Sequence, residues 1–121
     1  MLVRTQQMET LSGASVDTFE SRMTAHLRRC FPAKCEEMKE DGVHAVIQYG
    51  IERARGYGIT AERDVCRYID VMMVYGRDFD RDPALPWAGA ILSGKRWPEP
   101  TARVDQLYQA AKEHEKGRGA N

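Results

Sequence analysis

The chain has 121 residues, 42% apolar and 30% charged, values that exclude wholesale disorder and suit a single domain able to bury a core without disulfides. Eighteen basic residues cancel eighteen acidic ones, so the chain shows neither the basic excess of a nucleic-acid binder nor the acidic excess of a nucleic-acid mimic. No apolar run approaches the roughly 20 residues that span a bilayer. The opening "MLVRTQQMETLSGAS" lacks the apolar core of a secretory signal, and the cysteines, Cys30, Cys35 and Cys66, are odd in number. Together these features lead us to expect a reduced, cytoplasmic protein with free thiols and no membrane association.

Residues 1–14 carry no clear period and read as a flexible arm, residues 15–116 as a helical domain, and residues 117–121 as a frayed tail. Val16, Phe19, Met23, Leu27 and Cys30 step by three and four, so they share one helix face. Asp17 followed by Glu20 fits an N-terminal capping pattern, and Pro32 stops this helix near Phe31. "AKCEEMKEDG" reads either as a short helix closing around Gly42 or as one that runs on with a kink. In "VHAVIQYGIERARGYG" the stripe is Val43, Val46, Ile47, Gly50, Ile51 and Ala54; Gly50 allows another helix to approach closely, and Gly56 and Gly58 close the segment.

Thr60 is placed to cap the next helix, "TAERDVCRYIDVMMVYG". Its apolar side is Val65, Ile69, Met72, Met73 and Gly76, with Cys66 and Tyr68 at the edges and Glu62 and Asp64 in the first turn, where the helix dipole favours negative charge. A polar turn leads to a short apolar piece, "PWAGAIL", and Thr101 opens a last helix carrying Val104, Leu107, Tyr108 and Ala111. Strand-like alternation and hairpin turns are missing. The expected fold is therefore all-α, a compact bundle of about five short helices.

Chemistry is sparser. "GRDFDRDPALPW" sets Asp78, Asp80 and Asp82 at alternate positions, as the first three ligands of a calcium loop would be. The sixth position of that template needs glycine and holds Pro83; the twelfth needs glutamate and holds Gly89. A solvated turn is the plainer reading, with Asp82-Pro83 starting the bend. A docking surface is the other, because Phe79 and Trp87 flank the charges as aromatic anchors do, though each also suits a core. His26 and Cys30, four apart, could join Cys35 and His44 around zinc, but the close cysteine pair of such sites is missing and Cys30 lies on the apolar stripe as a small hydrophobe. Nothing local activates a thiol for a Cys–His pair, and no phosphate loop, dinucleotide fingerprint, nucleophile elbow or HExxH occurs. His44 reads as an edge histidine, and the methionines of "DVMMVYG" as core. We expect no cofactor, no metal and no catalysis.

The helix end "GIERARGYGI", the helix and turn "ERDVCRYIDVMMVYGRDFD" and the return "PWAGAIL" resemble small bacterial proteins associated with type VI secretion effector clusters, over about residues 42–92. The resemblance implies an immunity protein that binds and occludes a toxic effector, or alternatively an adaptor or chaperone that loads one for export. For occlusion, the acids that would meet a basic cleft are Asp78, Asp80 and Asp82 beside Phe79, assisted by Glu36, Glu37 and Glu40. An adaptor would instead use an exposed apolar groove. A nucleic-acid module is disfavoured by the acidic first turn of the helix after Thr60, and an enzyme would need the carboxylates gathered in a pocket.

Overall fold

A computed structural model describes the backbone of residues 13–119 and the side chains of residues 18–116. Residues 1–12 of the expected arm, residues 120–121 of the expected tail and the side chain of Val16 lie outside the described residues. Among the described residues there are five α-helices and no strand, as the apolar spacing predicts: α1 (Gly13–Cys30), α2 (Pro32–Gly56), α3 (Glu62–Tyr75), α4 (Pro86–Leu92) and α5 (Pro100–Gly119). A 3-10 turn, Phe79–Arg81, lies between α3 and α4. No helix among the described residues is long and apolar enough to cross a membrane.

α1 turns its Phe19–Met23–Leu27 stripe fully inward. It begins at Gly13, so Asp17 lies inside the helix and does not cap it. Cys30 departs from the expected stripe: it is exposed, because it is the last residue of α1 and the chain turns away at Phe31. Pro32 then opens α2 at a position where its missing N–H costs nothing. The two helices are antiparallel neighbours, with Glu20 meeting both His44 and Gln48, and Arg28 meeting Glu40.

The kinked alternative for α2 is the one that forms, but the kink falls at Lys39 (φ 63°, ψ 177°) and not at Gly42. Gly42 stays helical beside the bend, where an added Cβ would come within 2.8 Å of the Met38 Cβ. Beyond the kink, Val43, Ile47, Gly50, Ile51 and Ala54 are buried. The helix ends as its glycines require: Gly58 takes φ 81° while the Ile59 N–H bonds back to the Ala54 carbonyl at 2.9 Å.

α3 runs back along α2 and parallel to α1. A Cβ at Gly50 would lie 2.5 Å from Ile69 Cγ1 and 3.0 Å from Met72 Sδ, so the glycine sets how closely α2 and α3 approach. Thr60 does not cap α3; the cap position is Ala61, which offers no side-chain hydrogen bond. Asp64 is buried in the first turn and accepts a hydrogen bond from Thr101 Oγ1 at 2.8 Å, tying α3 to the start of α5. Tyr68, expected at the edge, is wholly buried. At the far end, the Lys34 ammonium donates to the Met73 carbonyl, one of the acceptors a helix C-terminus leaves open.

α5 closes the bundle against α3, and α4 packs on α5 and the 3-10 turn. α5 starts one residue before Thr101, and the Glu99 carboxylate accepts the Ala102 N–H at 2.9 Å as its cap. Arg103, buried with only 8% exposure, donates to the carbonyls of Trp97 (3.0 Å), Pro98 (2.6 Å) and Tyr57. It thereby fastens the loop before α5 to the end of α2. An arginine flanked by small and apolar residues gives no sequence sign of this role.

Candidate functional site

The three aspartates separate once folded. Asp80 is internal: its side chain is 0% exposed, ion-paired with Arg53 from α2, and accepts the Tyr57 hydroxyl at 2.6 Å. Phe79 beside it is 1% exposed and packs its ring 5.1 Å from that of Tyr68. In this structure, then, Asp80 and Phe79 are not presented to a partner, contrary to the expected docking role; they plug the 3-10 turn into the core. The pairing with Asp80 raises the Arg53 guanidinium further above its ordinary range. Burial, then Asp80, pushes the Tyr57 phenol up to about 12.

Asp78 stays exposed but is engaged by the Tyr49 hydroxyl and by Arg81 at 3.1 Å, which together hold its carboxyl below the usual range. Asp82 accepts the Ala84 N–H at 2.9 Å, the Asx turn that starts the bend before Pro83. No calcium template survives in this arrangement, since one of the three carboxylates is buried and already neutralised by Arg53. Trp87 is half-buried, its ring in a cluster with Tyr75 and His114 at 5.6 Å from each.

Glu36, Glu37 and Glu40 are exposed at the start of α2, as a surface role needs. They do not join the aspartate turn. Glu37 faces a hollow shared with Met38, Met73 and Arg77, whereas Glu36 and Glu40 face another beside Arg28. Tyr49, the residue that reaches Asp78, lies about 13 Å further along α2 than Glu40 at 1.5 Å per residue. The acids thus form two separate groups. Among the described residues six arginines are ion-paired with an acid, as in Arg22–Glu62, Arg55–Glu52 and Arg67–Asp105.

An apolar concavity lies elsewhere among the described residues, between the end of α1, the outer face of α3 and the second half of α5. It encloses about 680 Å³, within the range of sites that hold ligands or peptide side chains. Phe31, Val71, Val74, Tyr75, Tyr108 and Ala111 make its apolar surface, and Lys112, Glu115 and Lys116 stand on the α5 side. Val74 is the large hydrophobic side chain left exposed among the described residues, at 38%. No sequence segment signals this hollow, because its walls come from three helices.

At one end of the hollow sit His26, Cys30 and Asp70, with Cys66 beside them. His26 Nε2 lies 2.9 and 3.2 Å from the two Asp70 oxygens, and Cys30 Sγ lies 3.8 Å from His26 Nδ1. Cys66 joins them: the donor atoms of His26, Cys66 and Asp70 are all within 4.8 Å of one another. Burial pushes the Cys66 thiol up to about 11, with Asp70 and Cys30 adding to the rise, and burial also raises the Asp70 carboxyl against the opposing hydrogen bond from His26. The partners expected for His26 and Cys30 are elsewhere: Cys35 is buried beneath α2, and His44 is exposed, 3.3 Å from Glu20. A Cys30–His26–Asp70 chain has the order of a nucleophile triad, but Cys30 ends α1, where the open carbonyls oppose a developing oxyanion.

Comparison with known proteins finds no matching family model, no similar curated protein and no similar solved structure.

Proposed function

We propose that the chain is a non-catalytic protein-binding domain that holds an effector-type partner, as an adaptor or chaperone does, through the hollow between α1, α3 and α5. The observation that carries this reading is the hollow itself: an apolar concavity of about 680 Å³ with Val74 exposed on its surface, in a molecule whose other large hydrophobic side chains are at least partly covered among the described residues. Such a concavity marks a binding surface more often than it marks nothing. Its chemistry suits an apolar segment of the partner, with an acidic residue placed to meet Lys112 and Lys116. The resemblance to proteins of type VI secretion clusters supplies the class of partner.

The occluding, immunity-type reading draws on a different observation, the exposed acids Glu36, Glu37 and Glu40 on α2. It would leave the hollow unused and rely on a basic cleft in the partner.

Co-expression with the product of a neighbouring gene separates the two. The adaptor reading expects a stable complex that does not rescue growth from the partner's toxicity and that Val74→Glu disrupts, with helicity kept. Growth rescue that survives Val74→Glu and is lost on Glu36→Lys/Glu40→Lys would favour occlusion and overturn the first reading.

A further inference from the structure

We propose that His26, Cys66 and Asp70, with Cys30 as fourth ligand, form a zinc site that ties α1 to α3 at the end of the hollow. The placement follows from helix geometry. Side chains four apart lie on one face of a helix, so His26 and Cys30 project together from α1, and Cys66 and Asp70 project together from α3. The parallel packing of α1 and α3, registered by Arg22–Glu62 (2.6 Å) and His26–Asp70 (2.9 Å), turns the two pairs toward each other. His26 is the hub: its Nε2 lies 2.9 Å from Asp70 Oδ1 and 3.9 Å from Cys30 Sγ, and a ring nitrogen lies within 4.8 Å of Cys66 Sγ.

Those separations suit one small ion. With Zn–N and Zn–O near 2.0 Å and Zn–S near 2.3 Å, the edges of a tetrahedral site are roughly 3.3–3.8 Å. The spacings among His26, Cys66 and Asp70, up to 4.8 Å, bracket that range, and Cys30, 3.9 Å from His26 Nε2 but outside that group of three, joins by turning its side chain inward. Cys30, exposed at the end of α1, has the freedom to complete the tetrahedron. The donor set selects the metal: two thiolates and an imidazole reject calcium and magnesium, while a set of this kind, with one carboxylate, suits zinc. Two thiolates and a carboxylate around Zn2+ leave one net negative charge, and Lys112 and Lys116 face the same hollow. The unsatisfied carbonyls at the end of α1 also favour a cation. Binding releases the thiol protons to solvent and changes no oxidation state.

The test is cobalt titration of the intact, reduced, chelator-treated chain, read by absorbance. We expect one equivalent of Co2+ to produce the visible bands of a tetrahedral ion and a thiolate-to-cobalt charge-transfer band, both displaced by zinc. Cys66→Ser and Cys30→Ser should each remove about half of the charge-transfer intensity and weaken binding by at least about tenfold. The double variant should remove the band, and Cys35→Ser should leave it intact. Zinc should also raise the thermal midpoint of the wild-type chain, a readout that needs no variant. Absence of the charge-transfer band in the wild type overturns the proposal, as does its persistence in the Cys30→Ser/Cys66→Ser variant. Neither result depends on whether the hollow binds a protein.

Discussion

Asp78, Asp80 and Asp82 look alike in the sequence and differ in almost every physical respect once folded. Removing Asp80 takes the buried acceptor from the partly exposed Arg53 guanidinium and the Tyr57 hydroxyl. Asp80→Ala is therefore expected to cost about 2–3 kcal/mol in urea unfolding, the range for losing charge-assisted hydrogen bonds at a partly buried site. Asp82→Ala, which loses one surface turn bond, is expected to cost less than about 1 kcal/mol. Equal losses at both positions would contradict this assignment. The same network fixes an alkaline limit. Tyr57 titrates near 12 when folded against an ordinary 10, so its contribution to stability is complete below pH 10 and is lost as the pH rises through 12. Urea midpoints measured on either side of pH 10 should show this decline, and Tyr57→Phe should lessen it, with the raised Cys66 thiol and Tyr68 phenol supplying the remainder. None of this was legible locally, because alternate spacing sees only neighbours. What separates the aspartates is Arg53 and Tyr57, more than twenty residues away along the chain.

The helices themselves were legible where burial repeats. Phe19–Met23–Leu27 on α1 and Val43–Ile47–Gly50–Ile51–Ala54 on α2 face the core as their spacing requires. Helix starts were less legible. Asp17 and Thr60 are good capping residues placed where no cap forms, whereas Glu99 caps α5 without matching the preferred types. Tertiary contacts outweigh a capping bond worth about 1 kcal/mol. Gly50 is the position where sequence and packing agree most closely. Gly50→Ala places a methyl group 2.5 Å from the Cγ1 methylene of Ile69, so α2 and α3 must separate. We expect a loss of about 1–3 kcal/mol, seen as a lower thermal midpoint with unchanged helicity below it. An unchanged midpoint would mean that the two helices do not meet as closely as described.

At the scale of the molecule, what the sequence concealed was how its surface features are assembled. The acids that seemed to form one patch fall into two groups, one of them partly internal, while the hollow is assembled from α1, α3 and α5 and leaves no contiguous trace. The His26–Cys66–Asp70 cluster was hidden for the same reason: each helix contributes an unremarkable pair, and only the parallel packing of α1 on α3 joins them. Charge balance says little about either feature, since many charges of the described residues are spent on ion pairs within and between the helices. The most direct test of the proposed contact surface is hydrogen exchange of the chain alone and in complex with the neighbouring gene product. Protection confined to the end of α1, residues 70–75 of α3 and residues 108–116 of α5 is the predicted result. Protection of residues 76–85 and the start of α2, with the hollow unchanged, would contradict it.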